Sequence, residues 1–128
     1  MAKKKIVRSD AAPAPVASYS QAVRAGKFLF CSGQIAIDPR TGSLVIGGVE
    51  EQTRRVLENL GAVLEAAGAG FRDVLKCTVF LIDLHDFEVM NAVYATYFGE
   101  APPARSTVQV TALPRGARVE IEAIALLS

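Results

Sequence analysis

The strongest constraint on the fold is a change of hydrophobic period in the middle of the chain. Between Val49 and Ala67 the apolar residues recur every three to four positions, which is the period of a helix with one buried face. Gly68 follows as a residue that commonly ends a helix. Residues 73–84 are then almost continuously apolar, which is typical of a strand covered on both faces. We therefore predict a helix followed at once by a buried strand.

A second helix and two further strands are predicted in the last third of the chain. The large apolar side chains of residues 86–98 share one side of a helix, and a glycine follows them. A pair of prolines then separates this helix from a strand over residues 105–110, because proline fixes φ and lacks an N–H donor. A turn over residues 113–116 leads to a long final strand, residues 117–127.

The first third of the chain predicts short strands joined by turns. Residues 10–18 form an extended Pro/Ala connector, and Gly26 and Lys27 form a hairpin turn. Residues 38–42 combine Asp, Pro and Gly in the order of a turn. Gly33 breaks a strand pattern, and glycine at such a position often marks a bulge or a place where another group approaches the backbone closely. The short strands expected here cover residues 6–7, 20–23, 28–31 and 44–46.

The final strand has two unlike faces. Arg118, Glu120 and Glu122 share one face by the period of two, and Ile124 and Leu126 continue it. The other face is apolar throughout. A face that changes from charged to apolar along its length suggests that helices cover one side, while a partner subunit or a lined cleft meets the other.

The order of the elements predicts an α+β fold of two layers, in which both helices pack on one face of a mixed sheet. A length of 128 residues suits a single domain, residues 1–128. No apolar run approaches the length of a membrane span, and no apolar segment follows the first lysines as in a signal peptide. Cys31 and Cys77 lie in apolar runs and are expected to be buried free thiols. We expect a soluble cytoplasmic protein.

Standard catalytic motifs are absent from the sequence. It contains no phosphate-binding loop, no zinc-ligand spacing and no nucleophile elbow, so we expect neither a metal nor a cofactor. The only histidine, His85, stands beside Asp86, where a role near a helix start is favoured over catalysis. Fourteen Lys and Arg residues against thirteen Asp and Glu residues do not favour a nucleic-acid partner.

Arg105 is the most prominent candidate for binding an anion. It stands at the entry of the strand after the two prolines, and its guanidinium offers a planar fork of donors to a carboxylate or a phosphate. Taken alone, this stretch favours a surface or interface salt bridge. With the carboxylates Glu120 and Glu122, it describes a site that grips a small anion and positions water. Hydroxyl and amide groups that could complete such a site are Tyr19, Ser32, Gln34, Asn91, Tyr94, Ser106 and Thr107.

Two motifs and several shorter stretches resemble the reactive-intermediate imine deaminase family, also called YjgF or Rid. The motifs are Pro103-Ala104-Arg105-Ser106 and Val119-Glu120-Ile121-Glu122-Ala123. Together they are specific, whereas Ser32-Gly33-Gln34 alone would be weak. The shorter stretches cover residues 19–22, 31–35, 51–53, 57–60 and 86–87, with Asn91 and Tyr94. The resemblance extends from the first connector to the end of the chain.

The resemblance implies a chorismate-mutase-like fold assembled as a homotrimer, with a cleft between each pair of neighbouring subunits. It implies hydrolysis of 2-imino acids such as 2-iminobutanoate and 2-iminopropanoate, which form from enamines, to 2-keto acids and ammonia. The arginine matching Arg105 binds the substrate carboxylate in such proteins, and the glutamate matching Glu120 is associated with the water. The positions that line the same cleft match Tyr19, Ser32, Gly33, Asn91 and Thr107.

Two departures from the family pattern concern the predicted cleft. Ala17-Ser18 stands where deaminases commonly have Gly-Pro before the tyrosine, and Thr107 stands where they often have cysteine. The first departure bears on how Tyr19 is presented and therefore on substrate preference. Contacts made by the backbone at position 107 would survive the second.

Two other functions stay open from the sequence. Proteins of this family have also been described as endoribonucleases and translation inhibitors, and Lys3, Lys4 and Lys5 are the residues that could meet phosphates. The same cleft could also serve a non-catalytic binder of small carboxylates or a chaperone.

Overall fold

A mixed sheet of six strands carries both α-helices on one of its faces in the computed structural model, which describes residues 3–128. The strands are β1 (Lys5–Val7), β2 (Ala22–Ala25), β3 (Phe28–Gln34), β4 (Val74–Leu81), β5 (Ala104–Gln109) and β6 (Val119–Leu126). The helices are α1 (Val49–Ala66) and α2 (Phe87–Phe98). The predicted α+β class with two helices on one face of a mixed sheet is confirmed.

The strands lie in the order β1-β2-β3-β6-β4-β5. All neighbours are antiparallel except β4 and β5, which are parallel. A parallel pair needs a crossover connection, and α2 provides it. This connection makes β5 an outer strand and places its entry beside α2.

Helix α1 forms where the period of its apolar residues predicts it. Glu51 accepts a hydrogen bond from the Gly48 N–H at 3.1 Å, which satisfies a donor at the helix start. Its apolar face, including Val56, Leu60 and Leu64, is fully buried with the apolar face of β6 in one core. Gly68 follows the helix with φ of 78°, a conformation that glycine adopts without steric cost.

The two faces of β6 differ as the sequence predicts. Val119, Ile121, Ala123 and Ala125 are buried under the helices, whereas the alternate residues lie on a face that no helix covers. The same uncovered face includes the exposed Phe28 and Phe30 of β3 and Leu126 of β6, which pairs with Phe28. One face of the sheet therefore forms the core, and the other stays open in the single chain, with both apolar and charged side chains on it.

Strand β4 is covered on one face only, so the prediction of a strand buried on both faces was wrong for the single chain. Cys77, Val79 and Leu81 are fully buried, whereas Lys76, Thr78 and other alternate residues are only partly buried or exposed. Both helices pack on the same face, and residues 3–128 contain no further layer for the other.

Several predicted boundaries shift in the structure. Residues 44–46 do not form a strand: a single bridge joins Leu44 to Ile37, and Ile46 is 99% exposed. That segment has no neighbouring strand with which to form a ladder, so its apolar run produced no strand. The final strand begins two residues later than predicted, at Val119, after a short 3₁₀ turn over residues 114–116. The strand expected over residues 20–23 lies at Ala22–Ala25.

Two local predictions about glycines are confirmed. The register of β3 against β6 shifts between Cys31 and Gln34, which marks an irregularity at Gly33. Gly42 closes the predicted turn, since its N–H donates to the Asp38 carbonyl at 2.8 Å.

Both cysteines are buried free thiols, as predicted. Burial raises the pKa of Cys31 to about 12, so this thiol stays protonated. Within residues 3–128, neither helix combines the length and the apolar character that crossing a bilayer requires.

Candidate functional site

The predicted site residues form two groups on different sides of the sheet. Arg105 pairs in register with the fully buried Cys77, so its side chain leaves β5 on the face that carries α2. Glu120 pairs with Phe80 on the opposite, uncovered face. We call Asn91, Arg105 and Thr107 the arginine group, and Tyr19, Ser32, Gly33 and Glu120 the glutamate group. A single chain does not bring the two groups into one cleft.

The glutamate group is built around the missing side chain of Gly33. A Cβ atom at this position would collide with the Glu120 carboxylate and would lie 2.8 Å from its Cδ. The carboxylate therefore packs directly against the irregular backbone of β3. This contact explains the glycine by close approach, as the sequence suggested.

Ser32 fixes the connector that carries Tyr19. Its hydroxyl donates to the Ser20 carbonyl at 2.6 Å, and its N–H donates to the Gln21 carbonyl at 2.9 Å. Tyr19 itself is 48% exposed and lines the same pocket as Ser32, Gly33 and Glu120. The pocket has a volume of about 430 Å³, and its remaining walls are mostly apolar.

Burial raises the pKa of Glu120, and the neighbouring charge of Glu122 raises it further. Glu122 lies two residues along the same face of β6. A carboxylate whose pKa is raised toward neutrality accepts a proton more readily than an ordinary glutamate does. Glu120 is thus equipped to act as a base on a water molecule.

Side chains of α2 hold the Arg105 guanidinium, and only one of its nitrogen atoms, Nη1, donates a hydrogen bond to them. Arg105 Nη1 donates to Asn91 Oδ1 at 2.7 Å. The guanidinium carbon lies 4.7 Å from the centre of the Tyr94 ring and 5.3 Å from that of Phe87, within the range of cation–π attraction. Phe87, Asn91 and Tyr94 are spaced four and three residues apart, so one face of α2 holds Arg105.

No carboxylate within residues 3–128 forms a salt bridge with Arg105. The stretch alone favoured a surface or interface salt bridge, and the surface form within the chain is therefore absent from residues 3–128. The guanidinium borders a second pocket, of about 390 Å³, between α2 and the two prolines. It can bind an anion there with donors that Asn91 does not use.

Asn91 and Thr107 were predicted to line the cleft, and the structure shows what the side chain of each one contacts. The Asn91 side-chain oxygen already accepts from Arg105, so Asn91 orients the guanidinium. The Thr107 hydroxyl is buried and makes no hydrogen bond with the described residues. Thr107 lies two residues after Arg105 on the same face of β5.

Sequence reasoning missed the ring contacts of Phe87 and Tyr94 and part of the glutamate pocket. The helical spacing of Phe87 and Tyr94 with Asn91 could have indicated the first. Pro114 and Arg115 line the pocket from the 3₁₀ turn, where Arg115 has φ of 59° and donates to the Gly42 carbonyl at 3.1 Å. No local pattern indicates which pocket such a turn will border.

His85 lies outside both groups. Its backbone N–H and its Nδ1 each contact Asp83 Oδ1 at 2.9 Å at the start of a short 3₁₀ turn. His85 therefore lies in a capping region before α2, as predicted, with Asp83 as its partner. Residues 3–128 contain no cluster of His, Cys, Asp and Glu side chains arranged to hold a metal ion.

Comparison with known proteins identifies relatives along almost the whole chain. The family model described as Endoribonuclease L-PSP matches residues 9–127. A RutC family protein of Pyrococcus horikoshii is 55% identical over 122 residues, which cover 95% of this chain and 97% of the relative. The 2-iminobutanoate/2-iminopropanoate deaminase of Mus musculus is 50% identical over 123 residues, with coverages of 96% and 91%.

The fold is shared with solved structures. The crystal structure of RidA from an Antarctic Psychrobacter species has a TM-score of 0.93 and 46% sequence identity to this chain. The superposition covers 96% of this chain and 99% of that one. The arrangement of one mixed sheet and two helices is therefore the arrangement of these relatives.

Proposed function

The chain belongs to the L-PSP family, also called YjgF or Rid, and from this premise we propose that it hydrolyses reactive 2-imino acids. The proposed substrates are 2-iminobutanoate and 2-iminopropanoate, and the products are 2-keto acids and ammonia. The proposed chemistry uses the protein's own side chains and water, with no metal or cofactor. The observation that carries this proposal is the pair of unlike groups: Arg105 has guanidinium donors that Asn91 does not use, and Glu120 has a half-buried carboxylate.

The proposal completes the site between subunits of a homotrimer. The arginine group of one subunit faces the glutamate group of its neighbour, and repetition around a threefold axis gives three equal clefts. Two features support this arrangement. The groups lie on different faces of the sheet in one chain, and the open face carries exposed Phe28, Phe30 and Leu126, which an isolated subunit would leave in water.

Arg105 binds the substrate carboxylate in this mechanism. Two of its N–H groups pair with the two carboxylate oxygens, while Asn91, Phe87 and Tyr94 hold the guanidinium plane. The imino carbon next to the carboxylate is thereby fixed in the cleft. Because a protonated imine is already electrophilic, orientation and a placed water molecule supply much of the catalysis.

Glu120 takes a proton from that water as its oxygen bonds to the imino carbon. The C=N double bond becomes a single bond, and its electron pair passes to nitrogen. The proton held by Glu120 then moves to the nitrogen. As the C–N bond breaks, the hydroxyl group gives its proton to the departing ammonia, so that the carbonyl forms and ammonium leaves. Glu120 ends the cycle ionised, and one water molecule has been consumed.

The deaminase name of the mouse relative supports this reaction class. The near-neutral net charge of +1 gives no support to the RNA-acting alternative. The same proposal assigns the protein to the cytoplasm, where free thiols such as Cys31 and Cys77 stay reduced.

The proposal is tested by generating 2-iminobutanoate or 2-iminopropanoate in place with an amino-acid oxidase and trapping it with semicarbazide. We expect the wild-type protein to suppress semicarbazone formation, and Arg105→Ala to lose roughly 10²-fold or more in kcat/KM. Arg40→Ala is the matched control, because Arg40 is exposed and contacts only Asp38 at 3.3 Å among carboxylates.

Two outcomes would contradict the proposal. Wild-type protein that leaves the trapping rate unchanged with several amino-acid precursors is not an imine deaminase. If the same protein binds a 2-keto acid, and Arg105→Ala abolishes that binding, the non-catalytic binder is the better description.

A further inference from the structure

The ion pair between Asp86 and Arg118 joins the elements that carry the two groups. Arg118 Nη2 lies 2.8 Å from Asp86 Oδ2, and the Asp86 side chain is only 17% exposed. The pair connects residues 32 positions apart. In contrast, the pair of Arg40 with Asp38 and that of Arg54 with Glu50 are local and longer, at 3.3 and 3.4 Å.

Arg118 stands immediately before β6 and two residues before Glu120. Its N–H donates at 2.9 Å to the side chain of Gln52, a buried residue of α1. Its carbonyl accepts from the Ile82 N–H at 3.3 Å, just after β4. The entry of β6 is therefore fixed by α1 and the sheet, independently of the Arg118 side chain.

Asp86 stands at the N-terminal end of α2. An aspartate at this position commonly accepts a hydrogen bond from an N–H of the first helical turn. The Asp86 carboxylate makes no such bond. It accepts a hydrogen bond from Arg118 Nη2 instead. The helix thus lacks its usual side-chain cap, while its first turn is tied to the entry of β6.

The face of α2 that begins directly after Asp86 is the one that holds Arg105. Phe87 follows Asp86 in sequence, and Asn91 lies one helical turn further on. A change at the first turn of α2 therefore reaches both the ring and the amide that orient the guanidinium. The entry of β6 has its own anchors, so loss of the ion pair should shift α2 more than it shifts Glu120.

We infer that Asp86 and Arg118 are positioning residues that set the place of the Arg105-holding face of α2 relative to the entry of β6. The inference rests on the proposed function for its effect on substrate. In the proposed trimer the two groups of one chain serve different clefts. The Asp86–Arg118 ion pair of each subunit therefore also fixes the spacing between neighbouring clefts. Neither residue touches substrate in this account.

The test compares carboxylate binding with turnover in Asp86→Asn and Arg118→Met. We expect KM for the imine, and Kd for 2-oxobutanoate measured by calorimetry, to rise about 5- to 10-fold, with kcat changed by less than about 3-fold. The double variant should be no worse than either single one, because both remove the same contact. Arg118→Lys, which keeps the charge, should restore most of the affinity.

Glu50→Gln is the matched control, since it removes a carboxylate from an exposed Glu–Arg pair within α1 whose residues belong to neither group. It should leave KM and Kd unchanged. All measurements are made well below the Tm of each variant. A lowered Tm with unchanged KM and Kd in Asp86→Asn and Arg118→Met would overturn the positioning role and leave a purely structural pair.

The outcome separates this inference from the proposed function. If wild-type protein binds 2-oxobutanoate without turning over imines, the proposed function fails, and the Kd values still decide the positioning role. If wild-type protein binds no 2-keto acid, both are overturned, because there is no carboxylate for Arg105 to hold.

Discussion

The arginine group and the glutamate group are held in opposite ways. Side chains of one helix hold Arg105, which is stacked near two rings and bonded to Asn91. Backbone geometry holds Glu120, whose carboxylate occupies the space that any side chain at position 33 would need. Removing one of the side chains around Arg105 should therefore weaken the arginine group only partly. A methyl group added at Gly33 should instead displace the Glu120 carboxylate.

The separation of the two groups also matters electrostatically. A cation and a carboxylate within contact distance neutralise each other, and each becomes less available to a ligand. Within residues 3–128 Arg105 forms no ion pair, and burial raises the pKa of Glu120. The fold thus keeps Arg105 and Glu120 apart by placing them on different faces of one sheet, as their proposed roles require.

The largest expected effect is the fall in kcat that Glu120→Gln should cause. The amide keeps the shape of the side chain but cannot accept the proton of water, so kcat should fall by about 10²- to 10⁴-fold. KM should change little, because Arg105 still binds the carboxylate. Steady-state kinetics with trapped imine measure both values, and retention of full activity would contradict the base assignment.

The wild-type pH profile gives a second measure of the same residue. Glu120 must be ionised to act, so kcat/KM should fall as pH decreases through a pKa above the ordinary glutamate value, which is about 4.3. An acid limb at or below that ordinary value would place the base elsewhere.

An intermediate effect is expected from Gly33→Ala. The new methyl group must displace the Glu120 carboxylate, so kcat should fall by roughly 10-fold or more while Kd for a 2-keto acid changes less. Gly70→Ala is the control, because a Cβ atom at that extended position meets nothing within 4 Å. Equal kinetic effects of the two alanines would show that the close approach has no functional consequence.

A smaller effect is expected from Phe87→Leu, which changes a ring beside the arginine group. The leucine keeps apolar bulk but removes one ring from the guanidinium, so KM should rise about 2- to 5-fold with kcat nearly unchanged. Val89→Ala, at an exposed position of the same helix, should leave KM unaltered. A fall in kcat without a change in KM would show that the ring serves the chemistry and not the binding.

The smallest effect concerns stability. A carboxyl group whose pKa is raised by folding stabilises the fold while it is protonated, and this contribution is lost as pH rises through the folded pKa. Glu120→Gln should therefore raise Tm slightly at pH 7, and the difference should vanish below the ordinary glutamate pKa of about 4.3. Thermal unfolding at several pH values tests this, and a lower Tm at pH 7 would contradict it.

The helices and the longer strands were predictable because their patterns are local. The period of residues 49–66 and the alternation along β6 both follow from one stretch of sequence. Residues 44–46 failed because an apolar run forms a strand only where a partner strand lies beside it. The continuous apolar run of β4 indicated cover on both faces, and one chain supplies cover for only one.

The faces of Arg105 and Glu120 were not predictable from the residues themselves. The side on which Arg105 leaves β5 depends on the parallel pairing with β4, which the crossover through α2 imposes. The collision of a Cβ atom at Gly33 with Glu120 depends on the register of β3 against β6. Both are long-range properties, so the motifs indicated the residues of the site but not its division.

The most direct test of the divided site is to mix subunits that carry Arg105→Ala with subunits that carry Glu120→Gln. Each variant alone should be nearly inactive. If a cleft takes its arginine from one subunit and its glutamate from the next, random trimers from an equal mixture should recover about a quarter of the wild-type activity. If mixed assemblies form and show no activity above that of the separate variants, the two groups do not act together across subunits, and the divided site is contradicted.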